Sequence, residues 1–465
     1  MLKPFNLLAI IAATMAVSAC AGNKPIETLP EVVSQPVAFA TTYKPASHTD
    51  FVIRNVDVYV GNGAQLDDID VLVSGGKIAR IGTGLDSSAF EIDGSGLWLT
   101  PGLIDVHSHM GVYPQPETSN HSDGNEMTSP TTAEVWAEHS VWPQDPAFEK
   151  ARAGGITTVQ VLPGSANLFG GRSITLKNVD SVTVQGMKFP DAPYGLKMAC
   201  GENPKRVYGS KGQLPSTRMG NVAGYRKAWI DAADYRDTWQ KYASDIKAGK
   251  DVKPPKRDLK LETLMGVLNG EILIQNHCYR ADEMAQMIDI GKEFGYTIRA
   301  FHHAVEAYKV APLLAQEDVC AVMWADWWGF KQEAFDMVRE NIALVDFAKG
   351  CAVIHSDDPI QTQRLNQEIA KALAAGNKLG LNMDRAHAMR WLTLNAAKVI
   401  GLEDKIGSVE AGKNADLVLW DQDPFSSFAK PSKVWIDGVV VHDAAGQNTT
   451  ADFNLGIINA EEDRP

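Results

Sequence analysis

The stretch Leu99-Thr100-Pro101-Gly102-Leu103-Ile104-Asp105-Val106-His107-Ser108-His109 decides how the rest of the chain is read. Apolar, partly β-branched residues run into two histidines spaced two apart. In a strand, positions i and i+2 point to one face. The spacing therefore predicts a strand that ends in a pair of imidazoles able to reach one cation. Imidazole suits zinc and other first-row metals.

Upstream of this stretch, short β-rich runs alternate with turns. Phe51 to Val60 and Ile69 to Val73 are followed by Ser74-Gly75-Gly76-Lys77 and then Ile78 to Ile81. This pattern predicts a small antiparallel sheet with Gly-rich turns. A matching set returns downstream in Ala415 to Trp420 and Val434 to Val441. Two sheet fragments that bracket the chain predict one β-sandwich, drawn from 49–100 and from 404–465, with 101–403 inserted between them.

The inserted part alternates strand and helix signals. Strands are expected at 156–162, 195–200, 272–277, 297–303, 319–323 and 351–355, with helical stretches such as Ala281 to Phe294 and Gln363 to Ala375 between them. Repeated β-then-α over this length predicts a parallel barrel or a doubly wound sheet. No Gly-rich phosphate-binding turn follows the early strands, which leaves a dinucleotide fold unsupported. Residues 221–268 break the alternation. They are helix-rich and charged, carry Pro254-Pro255, and read as an inserted helical hairpin on the surface.

Polar residues recur where the expected strands end. His107 and His109 close the first, His277 and His303 close two later ones, and Asp357 follows the last in Ile354-His355-Ser356-Asp357-Asp358-Pro359. Side chains at the C-terminal ends of successive parallel strands converge on one mouth of a barrel. His302 and His303 are neighbours and face opposite ways, so only one of them joins the group. Around the mouth, Gly164 to Gly171 is a Gly-rich segment after a strand and offers Asn167. Arg280, just beyond His277, is a candidate for a substrate carboxylate. The run Trp324 to Phe330 offers Trp327 and Trp328 as an apolar wall.

The whole chain has 465 residues and a net charge of −13. That length allows two domains with one large core. The acidic surplus without a basic stripe excludes nucleic acid as a partner. Lys3 precedes an apolar stretch, Leu7 to Val17, too short for a membrane span, which ends in Val17-Ser18-Ala19-Cys20. This reads as a bacterial lipoprotein signal over 1–19, a lipid on Cys20 and a tether over 20–48. The expectation is an exported, periplasm-facing protein that meets the membrane only through its N-terminal lipid. Cys200, Cys278, Cys320 and Cys351 form no C-x-x-C pair and sit in or beside apolar runs, so buried free thiols are expected.

Taken together, the Leu99–His109 motif, His277, His303, Ser356-Asp357 and the closing stretch Ile406 to Val418 resemble the amidohydrolase superfamily of metal-dependent hydrolases, in its imidazolonepropionase-like branch. The resemblance covers about residues 50–445. It implies an α/β fold, a (β/α)8 TIM barrel with a small composite β-sandwich formed from both ends of the chain. It also implies cleavage of an amide-type carbon–nitrogen bond, linear or cyclic, in a small-molecule substrate such as an amide, dipeptide or cyclic amide. The attacking water would be activated by Zn(2+) or another divalent metal, one or two ions per chain. His107, His109, His277 and His303 would be metal ligands, and Asp357 both a ligand and the general base. Glu202 is the preferred additional ligand, with Lys197, as a carboxylated bridge, the alternative. His302 would lie behind the ligands or at the substrate, with Asn167 and Arg280 as further substrate contacts. Two other readings stay open: a metallo-dipeptidase or carboxypeptidase of the same superfamily, and a catalytically silent surface binding lipoprotein.

Overall fold

The computed structural model describes residues 39–446. The expected signal, Cys20 and the start of the tether lie outside the described residues. No helix among the described residues is long and apolar enough to cross a membrane.

In chain order the first five strands are β1 (Phe51–Tyr59), β2 (Gln65–Ser74), β3 (Lys77–Gly82), β4 (Phe90–Asp93) and β5 (Trp98–Pro101). The next eight are β6 (Leu103–Ser108), β7 (Ile156–Val161), β8 (Phe169–Lys177), β9 (Gly195–Ala199), β10 (Leu273–His277), β11 (Ile298–His302), β12 (Cys320–Met323) and β13 (Cys351–Ile354). The last three are β14 (Leu417–Trp420), β15 (Pro431–Ile436) and β16 (Val439–Asp443).

The two ends of the chain share one eight-stranded sheet in the order β16-β15-β14-β5-β1-β2-β3, with β4 on β1. The join is the antiparallel pairing of β14 with β5, where Leu419 faces Leu99 and Trp420 faces Trp98. Ile53, Val56, Val71, Leu99, Leu417 and Trp435 pack into one apolar core, so neither end can bury its face without the other. β5 runs straight into β6 through Gly102, and a Cβ there would lie 2.0 Å from Thr157 Oγ1. Only glycine allows that approach.

β6 to β13 form the second eight-stranded sheet, in sequence order, as the barrel. Its ladders are parallel except at β8, which pairs antiparallel with both β7 and β9. This departs from the all-parallel barrel that the β-then-α alternation predicts, in which no strand is expected between 162 and 195. The tight chain between Val161 and Phe169 leaves no room for a crossover helix, so the strand returns beside its neighbour. The seam between β13 and β6 is closed without a strand ladder, by side chains and one backbone hydrogen bond. Buried Asp105 accepts from Ser356 Oγ and from Thr362 Oγ1 at 2.6 Å, and the Asp357 N–H donates to the His107 carbonyl at 3.1 Å.

The helical insertion spans helices Arg218–Lys247 and Leu259–Leu268. It is less of a surface feature than its charge implies. Tyr225 and Trp229 are buried in the main core; Trp229 packs on Tyr296 and on Phe169 of β8. Its distal half carries a separate small cluster of Tyr235, Trp239 and Met265. The proximal half covers the barrel wall, and truncating Trp229 to alanine costs about 3–5 kcal/mol.

The four cysteines are not free thiols. Cys200 is bonded to Cys278 and Cys320 to Cys351, with Cα separations of 5.2 and 4.5 Å. Cys320 and Cys351 are register partners on the neighbouring strands β12 and β13. Cys200 and Cys278 each sit one residue past the ends of β9 and β10. Strand register brings the sulfurs together, and spacing along the chain does not reveal it.

Candidate metal centre

Each of these strand ends delivers a polar side chain to the barrel mouth. His107 lies in β6, His277 ends β10, His303 follows β11, and His109 and Asp357 lie just past β6 and β13. His303 and Asp357 have φ of 66° and 58°. Left-handed backbone at non-glycine residues is costly, and here it turns both side chains into the mouth as the strands end.

Asp357 is the hub. Its Oδ1 lies 3.2 Å from His109 Nε2 and 3.5 Å from His107 Nε2, and its Oδ2 lies 3.7 Å from His303 Nδ1. The hydrogen bonds behind the rings settle which nitrogens are lone pairs. Gln275 donates its Nε2 to the Val399 carbonyl at 3.0 Å, so its Oε1 accepts from His302 Nε2 at 2.7 Å. His302 Nδ1 then accepts from His107 Nδ1 at 2.8 Å, which leaves His107 Nε2 without a proton and facing the mouth. His109 Nδ1 donates to the Leu162 carbonyl at 2.8 Å, which turns its Nε2 toward Asp357. A cation shared by the ring and the carboxylate, or a proton between them, satisfies that pair.

Other donors at the mouth lack partners within the protein. His277 Nδ1, His303 Nδ1 and both ring nitrogens of His355 are buried without one. Burial drives His107, His277, His302 and His303 well below the usual imidazole range and takes His355 down to about 3. Neutral imidazole is the ligating form. Burial raises the Asp357 carboxyl, but its contacts, the His109 hydrogen bond first among them, outweigh it and hold it below its ordinary value. Two clusters have all their ligand atoms within 4.8 Å: His107, His109 and Asp357, and His107, His303 and His355. The residues therefore fit a divalent metal. Sequence reasoning misses His355. Its one signal is parity, since it lies two before Asp357.

Of the two candidates for an additional ligand, Lys197 lies nearer the histidines. Its Nζ lies 3.2 Å from His107 Nε2, and burial brings its pKa down to about 7. Glu202 opens the helix Glu202–Gly209, lies 3.9 Å from Lys331 Nζ and belongs to neither cluster of ligand atoms.

The substrate contacts are also redistributed. A cavity of about 220 Å3 opens at the mouth, lined by His109, Tyr113, Asn125, Ser165, Asn203, His277, Tyr279, His303, Trp324, Trp327, Phe330, Lys331 and Asp357. Asn167 is not among its walls: its amide is consumed by the Glu126 carbonyl, Thr132 Oγ1 and Tyr208 OH, at 2.6–2.7 Å. Arg280 holds Asp282 with two hydrogen bonds at the start of helix Ala281–Phe294. His302 is buried behind His107 and supports it. Trp327 lines the cavity as expected, whereas Trp328 is exposed under Arg339.

The model of the Amidohydrolase family matches residues 351–445. The crystal structure of an amidohydrolase from Thermotoga maritima MSB8 superposes with a TM-score of 0.77 at 36% identity, covering 84% of this chain and 100% of that one. Amidohydrolase tasK of Hapsidospora irregularis is 32% identical over 396 residues, 80% of this chain; the chain spans 40% of that longer relative. An imidazolonepropionase of Shewanella frigidimarina is 25% identical over 389 residues, covering 76% of this chain and 85% of its own. On these likenesses, and with its barrel and mouth, the chain belongs to the amidohydrolase family, hydrolases that act on carbon–nitrogen bonds.

Proposed function

We propose that this chain hydrolyses an amide-type bond, linear or cyclic, in a small-molecule substrate at a divalent metal. His107, His109, His277, His303 and Asp357 would hold the ion, with Lys197 joining as its carbamate and His355 close by. The observation that carries this reading is the convergence of one ligand atom each from His107, His109 and Asp357, all within 4.8 Å of one another. When bound, a divalent ion supplies Lewis acidity to the substrate carbonyl and to water.

The chain's own groups do the rest. Asp357, ionised and aimed into the cavity, takes the proton of the attacking water and returns it to the leaving nitrogen. His302 and Gln275 keep His107 in the tautomer that ligates. Trp324 stacks on His303 at 4.5 Å and donates to the Ser356 carbonyl at 3.2 Å, holding that ring and the Asp357 turn together. A lysine brought to about 7 is substantially neutral at physiological pH, the form that adds to carbon dioxide, releasing a proton and leaving a carbamate anion.

Export through a lipid on Cys20 belongs to the same proposal. Two disulfides support an oxidising compartment. Cys20→Ser should move the protein from the membrane to the soluble fraction.

The reaction is tested by screening metal-loaded protein against dipeptides, N-acyl amino acids and cyclic amides. Turnover of at least one class is expected. Asp357→Asn should keep most of the metal and lose ~10²–10⁴-fold in kcat. Near-normal turnover by that variant, at unchanged metal content, contradicts the proton-transfer role. Stoichiometric metal with no turnover anywhere in the screen favours the silent binding protein.

A further inference from the structure

Among the residues lining the cavity, one is a lysine or arginine, and the metal chemistry does not use it. Lys331 follows the aromatic run Trp324 to Phe330 and lines the same cavity as His109, His277, His303 and Asp357. One of its three N–H donors goes to Asn203 Oδ1 at 3.0 Å. The Asn203 amide donates to His277 Nε2 at 3.3 Å with its other end, a bond that His277 would exchange for a metal, so the ammonium stands a single side chain away from the histidines of the mouth. Its stem and head lie across Tyr279, with Nζ 4.7 Å from the ring centre.

Among the described residues, no carboxylate neutralises this cation at hydrogen-bond distance. Glu202 Oε1 stands off at 3.9 Å. Glu333 is committed to Arg218 and to the Glu202 N–H. Burial pushes the Lys331 ammonium down from its ordinary range, so an anion delivered beside it would be welcome. The neighbouring walls, Trp324, Trp327 and Phe330, are mutually packed aromatic rings that offer a bound ligand no charge.

We infer that Lys331 and Asn203 form a carboxylate subsite, and that the chain selects substrates bearing a free carboxylate close to the scissile bond and an apolar or aromatic side chain. The inference rests on the hydrolase reading for its orientation of the substrate. The subsite itself is a matter of binding. Arg280, the cation expected from sequence, is held by Asp282 and takes no part. A carboxylate would accept from the two Lys331 donors left over; the Arg206 guanidinium acts on Lys331 and Tyr279 by its charge but is not among the cavity walls. Asn203 fixes the ammonium by accepting from it.

Paired probes test this. The metal-loaded protein is titrated with N-acetyl-L-phenylalanine and with N-acetyl-L-phenylalaninamide, following tryptophan fluorescence and heat of binding, and turnover of both is measured in parallel. The acid should bind at least tenfold more tightly than the amide. Lys331→Met should cost roughly 10–100-fold in affinity for the acid, and in its KM if it is turned over, while the amide changes little. Lys331→Arg should restore most of the preference. Metal content and melting temperature of both variants should match the parent.

Equal binding of acid and amide by the parent protein overturns the subsite, as does a Lys331→Met variant, folded and metal-loaded, that keeps the preference. Failure of the hydrolase reading looks different: neither probe nor any screened compound is turned over, yet the acid still binds in a Lys331-dependent way.

Discussion

Two buried lysines teach what separates scaffold from site in this molecule. Lys177, at the end of β8, and Lys197, in β9, are each 1% exposed. Lys177 is enclosed by carboxylates, with Asp437 Oδ2 at 2.7 Å and Asp416 Oδ2 at 3.4 Å. Those acids are in turn satisfied: Tyr43 OH donates to Asp437 at 2.6 Å, and the Asp437 N–H donates to Asp416 at 2.8 Å. Lys197 has no carboxylate within 4 Å among the described residues, and its near neighbour is a histidine nitrogen at 3.2 Å. The first is a closed network that locks the β8 end of the barrel to β14 and to the turn after β15. The second is an amine in a dry site whose near partner is a ring nitrogen, with only the more distant charge of Asp357 to favour its cationic form. Burial is common to both, and the partners tell them apart.

The contrast can be broken by substitution. Lys177→Met should be the most damaging, because it strands two buried carboxylates. About 3–5 kcal/mol of stability is expected to go, read by denaturant unfolding, with metal content per folded chain unchanged. If that variant instead lost metal and kept its stability, the two lysines would have been assigned the wrong way round. Cys278→Ser comes next. It opens the tie between the ends of β9 and β10 that carry Lys197 and His277, and should cost about 2–4 kcal/mol. Weaker metal retention should accompany it, measurable by competition with a chelator. Lys197→Met should leave unfolding nearly where it was and lower metal affinity or stoichiometry by roughly 10–100-fold. The smallest effect belongs to Arg280→Ala. Its partner is a partly exposed Asp282, worth at most ~1 kcal/mol, and kcat/KM should stay within about twofold. A large loss of activity there would move the substrate carboxylate back from Lys331 to Arg280.

The same contrast separates what can be read from the chain alone from what cannot. Strand ends announce themselves, because apolar runs that stop again and again at a histidine point to one shared mouth. That pattern brings His107, His109, His277, His303 and Asp357 together from the sequence. Lys197 against Glu202 turns on whether the strand has ended, and a shift of a few residues carries a side chain from the barrel interior to the first turn of a helix. Asn167 and Arg280 have the right chemistry, but their partners, Tyr208, Thr132 and Asp282, use it up. Partnership of that kind is set by tertiary contacts. The cysteine pairs, matched only by register across neighbouring strands, are hidden for the same reason, as is β8, whose antiparallel direction follows from a short return of the chain.

The central claim is that the unpartnered nitrogens at the mouth and the Asp357 carboxylate hold a divalent metal. Anomalous X-ray scattering at the zinc edge, from crystals of the protein grown with zinc, tests it most directly. The account predicts a peak at the barrel mouth about 2.0–2.2 Å from Nε2 of His107 and of His109 and from an Asp357 oxygen. A mouth without a peak, with His109 Nε2 protonated and hydrogen-bonded straight to Asp357, would contradict it.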